Sequence, residues 1–388
     1  MNASDPTAPG TPRLAARTAD LHASPIREIL AVIDRPGMIS FAGGLPAPES
    51  FPALDLRGLP PEWLQYGQSE GEWALRDQVA QDLRASGLAC DAEQVLILSG
   101  SQQGIDLVAK LFVDDGAPVA VETPTYLAAL QVFRLFGARF QDLAPWIDGG
   151  EPVPGAPRPV LAYAIPTFQN PTGRCLDAAQ RAALAQACDE RDVPLFEDDP
   201  YRDLAYEAVE RTPVCALLRR VPWVYQGSFS KSLAPGLRLG FLAAAPVLVP
   251  LLTRLKQAAD LHSSRISQWL VLEQLRNAGR AQRLERLVQT YRAKRDLFAA
   301  GLRRHLDGLA TWQAPPGGLF FWLALRQRID TRALLAPALA RNLAFMPGEL
   351  FFPQLPAASG TLRLNFSHAD AAQVDRGLQV LAGLLQEA

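Results

Sequence analysis

One lysine lies in a setting that suits covalent chemistry. Lys231 follows an apolar run in SFSKSLAPGLRLG, with serines on both sides and Arg238 seven residues further on. A lysine amine can attack a carbonyl group to form a Schiff base, while hydroxyl groups and an arginine beside it hold an anion. The chain has only four lysines, so few positions are open to this chemistry. Taken alone, Lys231 has the ordinary alternative of a solvated surface cation.

Two other segments carry polar side chains that suit a heterocyclic cofactor. EDDPY contains Asp198 and Tyr201, and QNPTG contains Asn170. A buried carboxylate that faces a pyridine nitrogen keeps it protonated, so the ring withdraws electrons, and an amide can donate to a phenolic ring oxygen. Taken alone, EDDPY is equally typical of acids that cap the next element, and QNPTG is typical of an Asn-Pro turn.

Two further segments favour the binding of anionic groups. Ser101 and Gln102 lie in SGSQQG, where small residues lead into a helix whose N–H groups could face a phosphate. GTLRLNFS predicts a half-buried strand with Arg363 on its polar face, and an arginine there can clamp a carboxylate. Tyr126, in the turn after the next apolar run, could stack on a ring. As single signals, all three have structural alternatives: a common strand-to-helix turn, a solvated arginine and a core aromatic.

The elements that position these residues follow a βα rhythm between about residues 90 and 245. Five apolar runs each break into a polar or Gly/Pro-rich turn: VLIL (95–98), PVAVE (118–122), VLAYAI (160–165), VPLF (193–196) and WVYQ (223–226). This rhythm predicts an α/β fold with a mostly parallel sheet. Ligands bind outside the carboxyl ends of such strands, so we expect the polar residues to converge there.

The pattern also predicts the domain organisation. We expect a flexible tail at 1–20, an N-terminal helix and arm at 21–45 that packs with the small domain, a large domain at 46–285 and a smaller one at 286–388. In the smaller domain, GGLFFWLAL, LAFMPG and GTLRLNFS predict short strands. The segment SPIREILAVID predicts a helix that Ser24 caps, with Arg27 on the same face.

The composition excludes several classes of partner. The 388 residues carry a net charge of −2, which provides no basic field for nucleic acid or anionic membrane. The four cysteines form no CxxC pair and the four histidines do not cluster, so a metal site has little support. No apolar run approaches the ~18 residues of a membrane helix and no secretory signal is visible, so we expect a cytoplasmic protein.

Taken together, the motifs resemble those of the fold-type I aminotransferases of class I/II, which depend on pyridoxal 5′-phosphate (PLP). They span about residues 24–367 and occur in the family's order: FAGGLP, LQYGQSEG, SGSQQG, PTYLAAL, QNPTG, EDDPY, SFSKSLAPGLRLG and LRLNFS. The chain is most similar to the branch of 2-aminoadipate and kynurenine aminotransferases, which also resembles the effector domains of MocR-type regulators. LAPWIDGGEPVPGAP departs from the family by lacking an acidic DxxG turn, so the connection between residues 140 and 160 is open.

The resemblance implies a seven-stranded, mostly parallel sheet, a smaller α+β domain, and a homodimer with its sites at the interface. Lys231 would hold PLP as a Schiff base and later move the proton between Cα and the cofactor. Asp198 would pair with the pyridinium nitrogen, Tyr201 and Asn170 would contact the ring oxygen, and Tyr126 would stack on the ring. The phosphate would be bound by Ser101, Gln102, Ser228, Ser230, Arg238 and the second subunit's Tyr66. Arg363, with Asn170 and Gly44, would bind the substrate carboxylate, and Ser24 and Arg27 can meet a distal carboxylate.

The resemblance implies the transfer of an amino group from an L-amino acid to a 2-oxo acid. The donor would be 2-aminoadipate or an aromatic or aliphatic amino acid, and the expected acceptor is 2-oxoglutarate. The cofactor would alternate between PLP and pyridoxamine phosphate (PMP) in a ping-pong mechanism. The same fold also supports β-lyases, decarboxylases and racemases. A further alternative is a PLP-sensing regulator. Such regulators carry a winged helix-turn-helix before this domain, whereas only about twenty residues and one helix precede FAGGLP here.

Overall fold

The large sheet has seven strands and lies at the centre of the computed structural model, which describes residues 14–18, 35–150 and 155–388. Its strands, in chain order, are β2 Val95–Leu98, β3 Pro118–Val121, β4 Arg139–Asp142, β5 Leu161–Ala164, β6 Leu195–Asp198, β7 Trp223–Ser228 and β8 Gly240–Ala244. The order across the sheet is β2-β8-β7-β6-β5-β3-β4, and β8 alone runs antiparallel to the other six strands. The carboxyl ends of those six strands therefore meet at one edge, together with the start of β8.

Helices cover both faces of the large sheet. One face packs against the helices Trp73–Ala85, Ala178–Arg191 and Arg265–Arg276. The other packs against Ser101–Phe112, Leu127–Leu135 and Val249–Asp260. A short helix, Ala144–Ile147, follows β4. Because helices bury both faces, the inner strands are mostly apolar rather than alternating, and the carboxylate and amide side chains in them are buried.

A smaller, antiparallel sheet follows in the chain. Its strands β9 Ala310–Trp312, β10 Phe320–Leu325, β12 Met346–Pro347 and β13 Thr361–Asn365 have the order β12-β13-β10-β9. Strand β1 (Ile39–Ser40) of the N-terminal arm pairs in parallel with β11 (Leu343–Ala344). The helices Arg280–Leu306, Leu335–Ala340 and Ala371–Glu387 complete this part. Phe298, Phe321 and Phe366 form an aromatic centre in its core.

The fold class predicted from the sequence is confirmed: a seven-stranded, mostly parallel sheet with a smaller antiparallel sheet beside it. The sequence pattern missed β4, a partly exposed edge strand with polar residues, and β8, whose alanines do not distinguish a strand from a helix. The strand VPLF was placed too early, since β6 extends to Asp198. The predicted helix with Ser24 and Arg27 lies outside the described residues, and no helix within the described ranges is long and apolar enough to cross a membrane.

One expectation about β13 is wrong. The alternation in GTLRLNFS predicts a half-buried strand, but both faces are buried: Arg363 is 4% exposed and Asn365 and Ser367 are fully covered. The N-terminal arm lies across the polar face, where Asn365 N–H donates to the Phe41 carbonyl and Ser367 Oγ to the Leu45 carbonyl. The alternation shows which face of the strand is polar and which is apolar. Whether the polar face is buried depends on a segment that is more than 300 residues away in the chain.

Candidate active site

A cavity of about 280 Å³ opens at the carboxyl edge of the large sheet. Ten of the residues singled out in the sequence line it: Ser101, Gln102, Tyr126, Asn170, Asp198, Tyr201, Ser228, Ser230, Lys231 and Arg238. They come from the turns after five parallel strands and the turn before β8. The convergence predicted from the strand ends is therefore observed, with polar groups brought together across 137 positions of the chain.

Lys231 enters the cavity from the segment that follows β7. Its Nζ donates a hydrogen bond of 2.8 Å to the carbonyl of Gly44, so the N-terminal arm fixes the amine. Burial, assisted by the positive charges of Arg363 and Arg238, lowers the pKa of Lys231 to about 8. A much larger fraction of this amine than of a surface lysine is therefore neutral and nucleophilic near neutral pH.

Asp198 ends β6 and is 2% exposed. Its carboxylate accepts hydrogen bonds of 2.9 Å from the hydroxyl of Tyr163 and of 2.9 Å from the amide of Gln226. Burial raises the pKa of Asp198 to about 6, while these two bonds oppose the rise. At neutral pH Asp198 is therefore still mostly an anion, oriented by neighbours on both adjacent strands.

Tyr163 and Gln226 were not singled out in the sequence. Both are fully buried polar side chains within otherwise apolar strands, β5 and β7. A hydroxyl or amide in a buried strand needs a hydrogen-bond partner, so their presence in VLAYAI and WVYQ was a usable signal. The sequence did not identify the partner, because strand order decides which side chains become neighbours.

The turn at Gly100, next to Arg238, has features that suit an anion. Gly100 precedes the helix Ser101–Phe112 and adopts φ +85°, a left-handed backbone that favours glycine. A Cβ at this position would lie 2.6 Å from Nη2 of Arg238. The guanidinium thus packs directly on the turn, next to the free N–H groups of the helix start. Positive charge and helix N–H groups together suit a phosphate.

Arg363 lies at the side of the site. Its Nη1 donates 2.8 Å to Oδ1 of Asn170, and its Nη2 donates to the Ala42 carbonyl. The rings of Phe320 and Phe351 cover it at 4.2 and 4.9 Å from their centroids. Burial lowers the pKa of Arg363 to about 10, so it remains a cation at neutral pH. The sequence did not single out these two rings, which hold the guanidinium by cation–π contacts.

The two tyrosines of the cavity remain protonated. Burial raises the pKa of Tyr126 to about 12 and raises that of Tyr201 above its usual range. Each phenol can therefore donate a hydrogen bond at any physiological pH. The Tyr201 ring packs edge-on against Phe320, and a Cβ on Gly44 would lie 2.9 Å from the same Phe320 ring, so this region has little space for a larger residue.

One predicted site residue within the described part of the chain is not brought together with the rest. Tyr66 is 76% exposed and packs edge-on against His262, outside the cavity. Ser24 and Arg27 lie outside the described residues. Among the residues that the structure describes, no group of three or more His, Cys, Asp or Glu side chains could hold a metal ion.

Comparison with known proteins gives a consistent picture. The family model "Aminotransferase class I and II" matches residues 42–381. The 2-aminoadipate transaminase of Thermus thermophilus is 39% identical over 382 residues, which cover 94% of each chain. More distantly, an HTH-type transcriptional regulator of Bacillus subtilis, YdfD, is 27% identical over 327 residues, which cover 83% of this chain and 67% of the regulator.

Two solved structures have the same fold. The α-aminoadipate aminotransferase LysN of T. thermophilus, solved with N-(5′-phosphopyridoxyl)-L-leucine, has a TM-score of 0.87 at 38% identity, covering 96% of this chain and 97% of that one. The kynurenine aminotransferase of Pyrococcus horikoshii, solved with PMP, has a TM-score of 0.86 at 29% identity with the same coverage.

Proposed function

Because the chain belongs to the class I and II aminotransferases, we propose that it transfers the amino group of 2-aminoadipate, or of an aromatic or aliphatic L-amino acid, to 2-oxoglutarate. It is a PLP-dependent aminotransferase. The observation that carries the proposal is the juxtaposition of a partly buried lysine, a buried carboxylate and a turn that suits an anion in one cavity. The relatives that act on 2-aminoadipate and kynurenine support the substrate class.

The residues of the cavity fit PLP at each of its functional groups. The turn at Gly100 and Arg238 suit the phosphate, Asp198 suits the pyridine nitrogen, and Asn170 and Tyr201 suit the ring hydroxyl. Lys231 would hold the aldehyde carbon. When bound, PLP supplies a ring that takes up the electron pair of a broken bond at Cα. The cofactors and cofactor adducts of the two solved relatives support this assignment.

The chain's own residues then divide the work. Lys231, whose pKa is lowered, accepts the proton that leaves the substrate Cα. It then donates this proton to the cofactor. Asp198, held by Tyr163 and Gln226, maintains a negative charge beside the pyridine nitrogen. Arg363 and Asn170 bind the substrate α-carboxylate. Because this carboxylate is bound as an anion, the geometry favours cleavage of the Cα–H bond over loss of CO₂.

A distal carboxylate requires a further cation. The cations at the described part of the site are Lys231, Arg238 and Arg363, and each already has a role. We assign the distal group to Arg27 and Ser24, the role that the resemblance to the 2-aminoadipate aminotransferases implies for them. Arg27→Gln should then raise the KM for 2-oxoglutarate and 2-aminoadipate by ~10–150-fold, the effect of losing a charge-assisted bond of ~1.5–3 kcal/mol. Leucine is the control: an equal loss with leucine would mean that Arg27 only supports the fold.

The proposed assembly is a homodimer in which Tyr66 reaches the phosphate of the partner's site. Leu64 and Tyr66 are 68% and 76% exposed, and Leu261 on the adjoining segment is 49% exposed. Arg265 joins the two segments through hydrogen bonds to the carbonyls of Glu62 and Gln65. An exposed apolar patch of this kind is typical of a protein interface.

A spectrophotometric panel tests the proposed reaction. The PLP-loaded enzyme is mixed with 2-aminoadipate, glutamate, kynurenine, leucine or alanine, each without an acceptor. We expect the visible band of the lysine-bound cofactor to convert to that of pyridoxamine phosphate and to return when 2-oxoglutarate is added. The release of ammonia and a keto acid without an acceptor would instead identify a lyase. Lys231→Ala is the control and should lack both the band and turnover.

A further inference from the structure

A fully buried lysine lies next to the turn at Gly100 rather than in the cavity. Lys256, in the helix Val249–Asp260, has a fully buried side chain. Its Nζ donates 2.7 Å to Oδ1 of Asp260, 3.1 Å to Oγ of Ser263 and 3.4 Å to Oε1 of Gln103. An ammonium group is buried only at a substantial free-energy cost unless it is fully partnered, and here all three of its donors are used.

Each of the three acceptors also binds the polypeptide that enters the turn. Ser263 Oγ donates 3.2 Å to the Ile97 carbonyl, and Ser99 Oγ donates 2.8 Å to Oδ2 of Asp260. The Ser99 N–H donates 2.9 Å to Oε1 of Gln103. The end of β2 is therefore held by three hydrogen bonds. Each of them involves a side chain that also accepts a hydrogen bond from Nζ of Lys256.

The held segment is the one that presents the anion-binding groups. Gly100 follows Ser99 directly, Ser101 and Gln102 line the cavity, and the guanidinium of Arg238 packs against Gly100. A small shift of residues 97–99 would move the first N–H groups of the helix and the contact with Arg238. Preorganised donors lose much of their affinity when displaced by about 1 Å.

We propose that Lys256 is a positioning residue that holds the phosphate-binding turn in place, and thereby sets the affinity for the phosphate of the cofactor. Lys256 lines no part of the cavity and touches no reacting group. The proposal rests on the proposed function, because the phosphate in question is that of PLP. Lys256 would thus affect cofactor binding from outside the cavity, through Asp260, Ser263 and Gln103.

The test compares PLP with pyridoxal, which can react with Lys231 but has no phosphate. Lys256→Met keeps the unbranched stem, and Asp260, whose side chain is 27% exposed, can be solvated by water. Titration of the apoenzyme should give a Kd for PLP that is ~10–100-fold higher than in the wild type. The Kd for pyridoxal should stay within about twofold. Competition by inorganic phosphate should weaken in parallel with PLP binding.

Lys110→Met is the matched control. Lys110 forms an i,i+4 ion pair with Asp106 on the exposed side of the helix Ser101–Phe112, so the variant loses a similar pair from the helix that follows the turn. Both Kd values should remain unchanged. Ser99→Ala provides a second variant without a buried charge change, and should weaken PLP binding with the same selectivity but to a smaller extent.

The possible outcomes distinguish the inference about Lys256 from the proposed function of the protein. Equal losses of PLP and pyridoxal affinity in both Lys256→Met and Ser99→Ala would mean a purely structural role for the network and would overturn the inference. Unchanged PLP affinity in both variants would overturn it as well, while leaving the proposed function intact. A wild-type chain that bound neither PLP nor pyridoxal would overturn both.

Discussion

At the scale of single residues, the environment of each charged group decides what it can do. Asp198 and Arg363 are buried and Lys231 is partly buried, yet the three groups differ in their partners. Lys231 has two cations near it, Arg363 and Arg238, whose charges favour the neutral amine. Asp198 has two donors, which favour the carboxylate. Desolvation favours the neutral form of both groups, but the neighbouring cations add to this effect at Lys231, whereas the two hydrogen bonds oppose it at Asp198.

The lowered pKa of Lys231 predicts how the rate of cofactor attachment depends on pH. Only the neutral amine attacks an aldehyde, and the pKa of Lys231 is about 8. The rate at which the apoenzyme reacts with pyridoxal should rise about tenfold per pH unit below 8 and level off above it. Stopped-flow absorbance between about pH 6 and 10 measures this. A rate that climbs without a plateau would show that the amine titrates like an exposed lysine.

Replacing Asp198 tests the importance of its charge. Asp198→Asn keeps the size of the side chain and can still contact Tyr163 and Gln226, but it removes the anion. PLP should still bind through Lys231, while kcat falls by several orders of magnitude, where each factor of ten corresponds to about 1.4 kcal/mol.

Asp199→Asn is the control for this variant. Asp199 is also buried but faces Tyr225 and Arg202. Its kcat should stay within about tenfold of wild type. An Asp198→Asn enzyme that retained a similar rate would mean that another group faces the pyridine nitrogen.

At the scale of elements, the antiparallel strand β8 has a specific consequence for the site. The other six strands bring their carboxyl ends to the edge, whereas β8 brings its beginning there. Arg238, two residues before β8, therefore reaches the turn at Gly100, although the two positions are 138 residues apart. A seventh parallel strand would have placed this arginine at the opposite edge.

This packing predicts a selective effect of one methyl group. Gly100→Ala forces an alanine into φ +85° and places its Cβ 2.6 Å from the Arg238 guanidinium. We expect the Kd for PLP to rise by about tenfold or more, measured by titration of the apoenzyme. Gly58→Ala is the control, because Gly58 has φ +87° but no atom within 4 Å of such a Cβ. It should cost about 1 kcal/mol of unfolding free energy and leave PLP affinity unchanged. Equal PLP affinities in the two variants would contradict the packing argument.

At the scale of the whole molecule, the exposed patch around Tyr66 bears on the assembly. Tyr66 packs edge-on against His262, which lies in the chain between Asp260 and Ser263, and Leu64 and Leu261 are exposed. If a second subunit covers this patch, Tyr66 is buried there and contributes to a site that its own chain does not form. The interface and the cofactor site would then share residues, which couples assembly to cofactor binding.

Subunit mixing tests this arrangement. Lys231→Ala abolishes its own site, and Tyr66→Phe removes the hydroxyl that reaches the partner's phosphate. If Tyr66 acts across the interface, a mixed dimer has one site with both changes and one site with neither. Unfolding and refolding the two variants together should restore about a quarter of the sites to wild-type PLP affinity and turnover. A mixture that gives only the sum of the two separate activities would show that Tyr66 acts within its own chain.

The sequence by itself determined the chemically distinctive residues and the edge on which they meet. Lys231, Asp198 and Asn170 stand out because their types are unusual at the ends of apolar runs, and the βα rhythm places those ends together. Arg363 stands out on the polar side of an alternating strand outside that rhythm. Local pattern carries this information, since strand periodicity and turn composition are properties of neighbouring residues.

The tertiary structure alone decided which groups support them. Tyr163 and Gln226 hold Asp198 across strand pairings, Phe320 and Phe351 cover Arg363, and Lys256 holds the turn at Ser99 from 157 residues away. The arm that covers the polar face of β13 is likewise distant in the chain. These contacts depend on the order of the strands and on the packing of helices and sheets. A hydrogen bond or ring contact forms only when the fold places both of its partners next to each other. A local sequence pattern therefore cannot predict which residues become partners, because each of them taken alone fits many other environments.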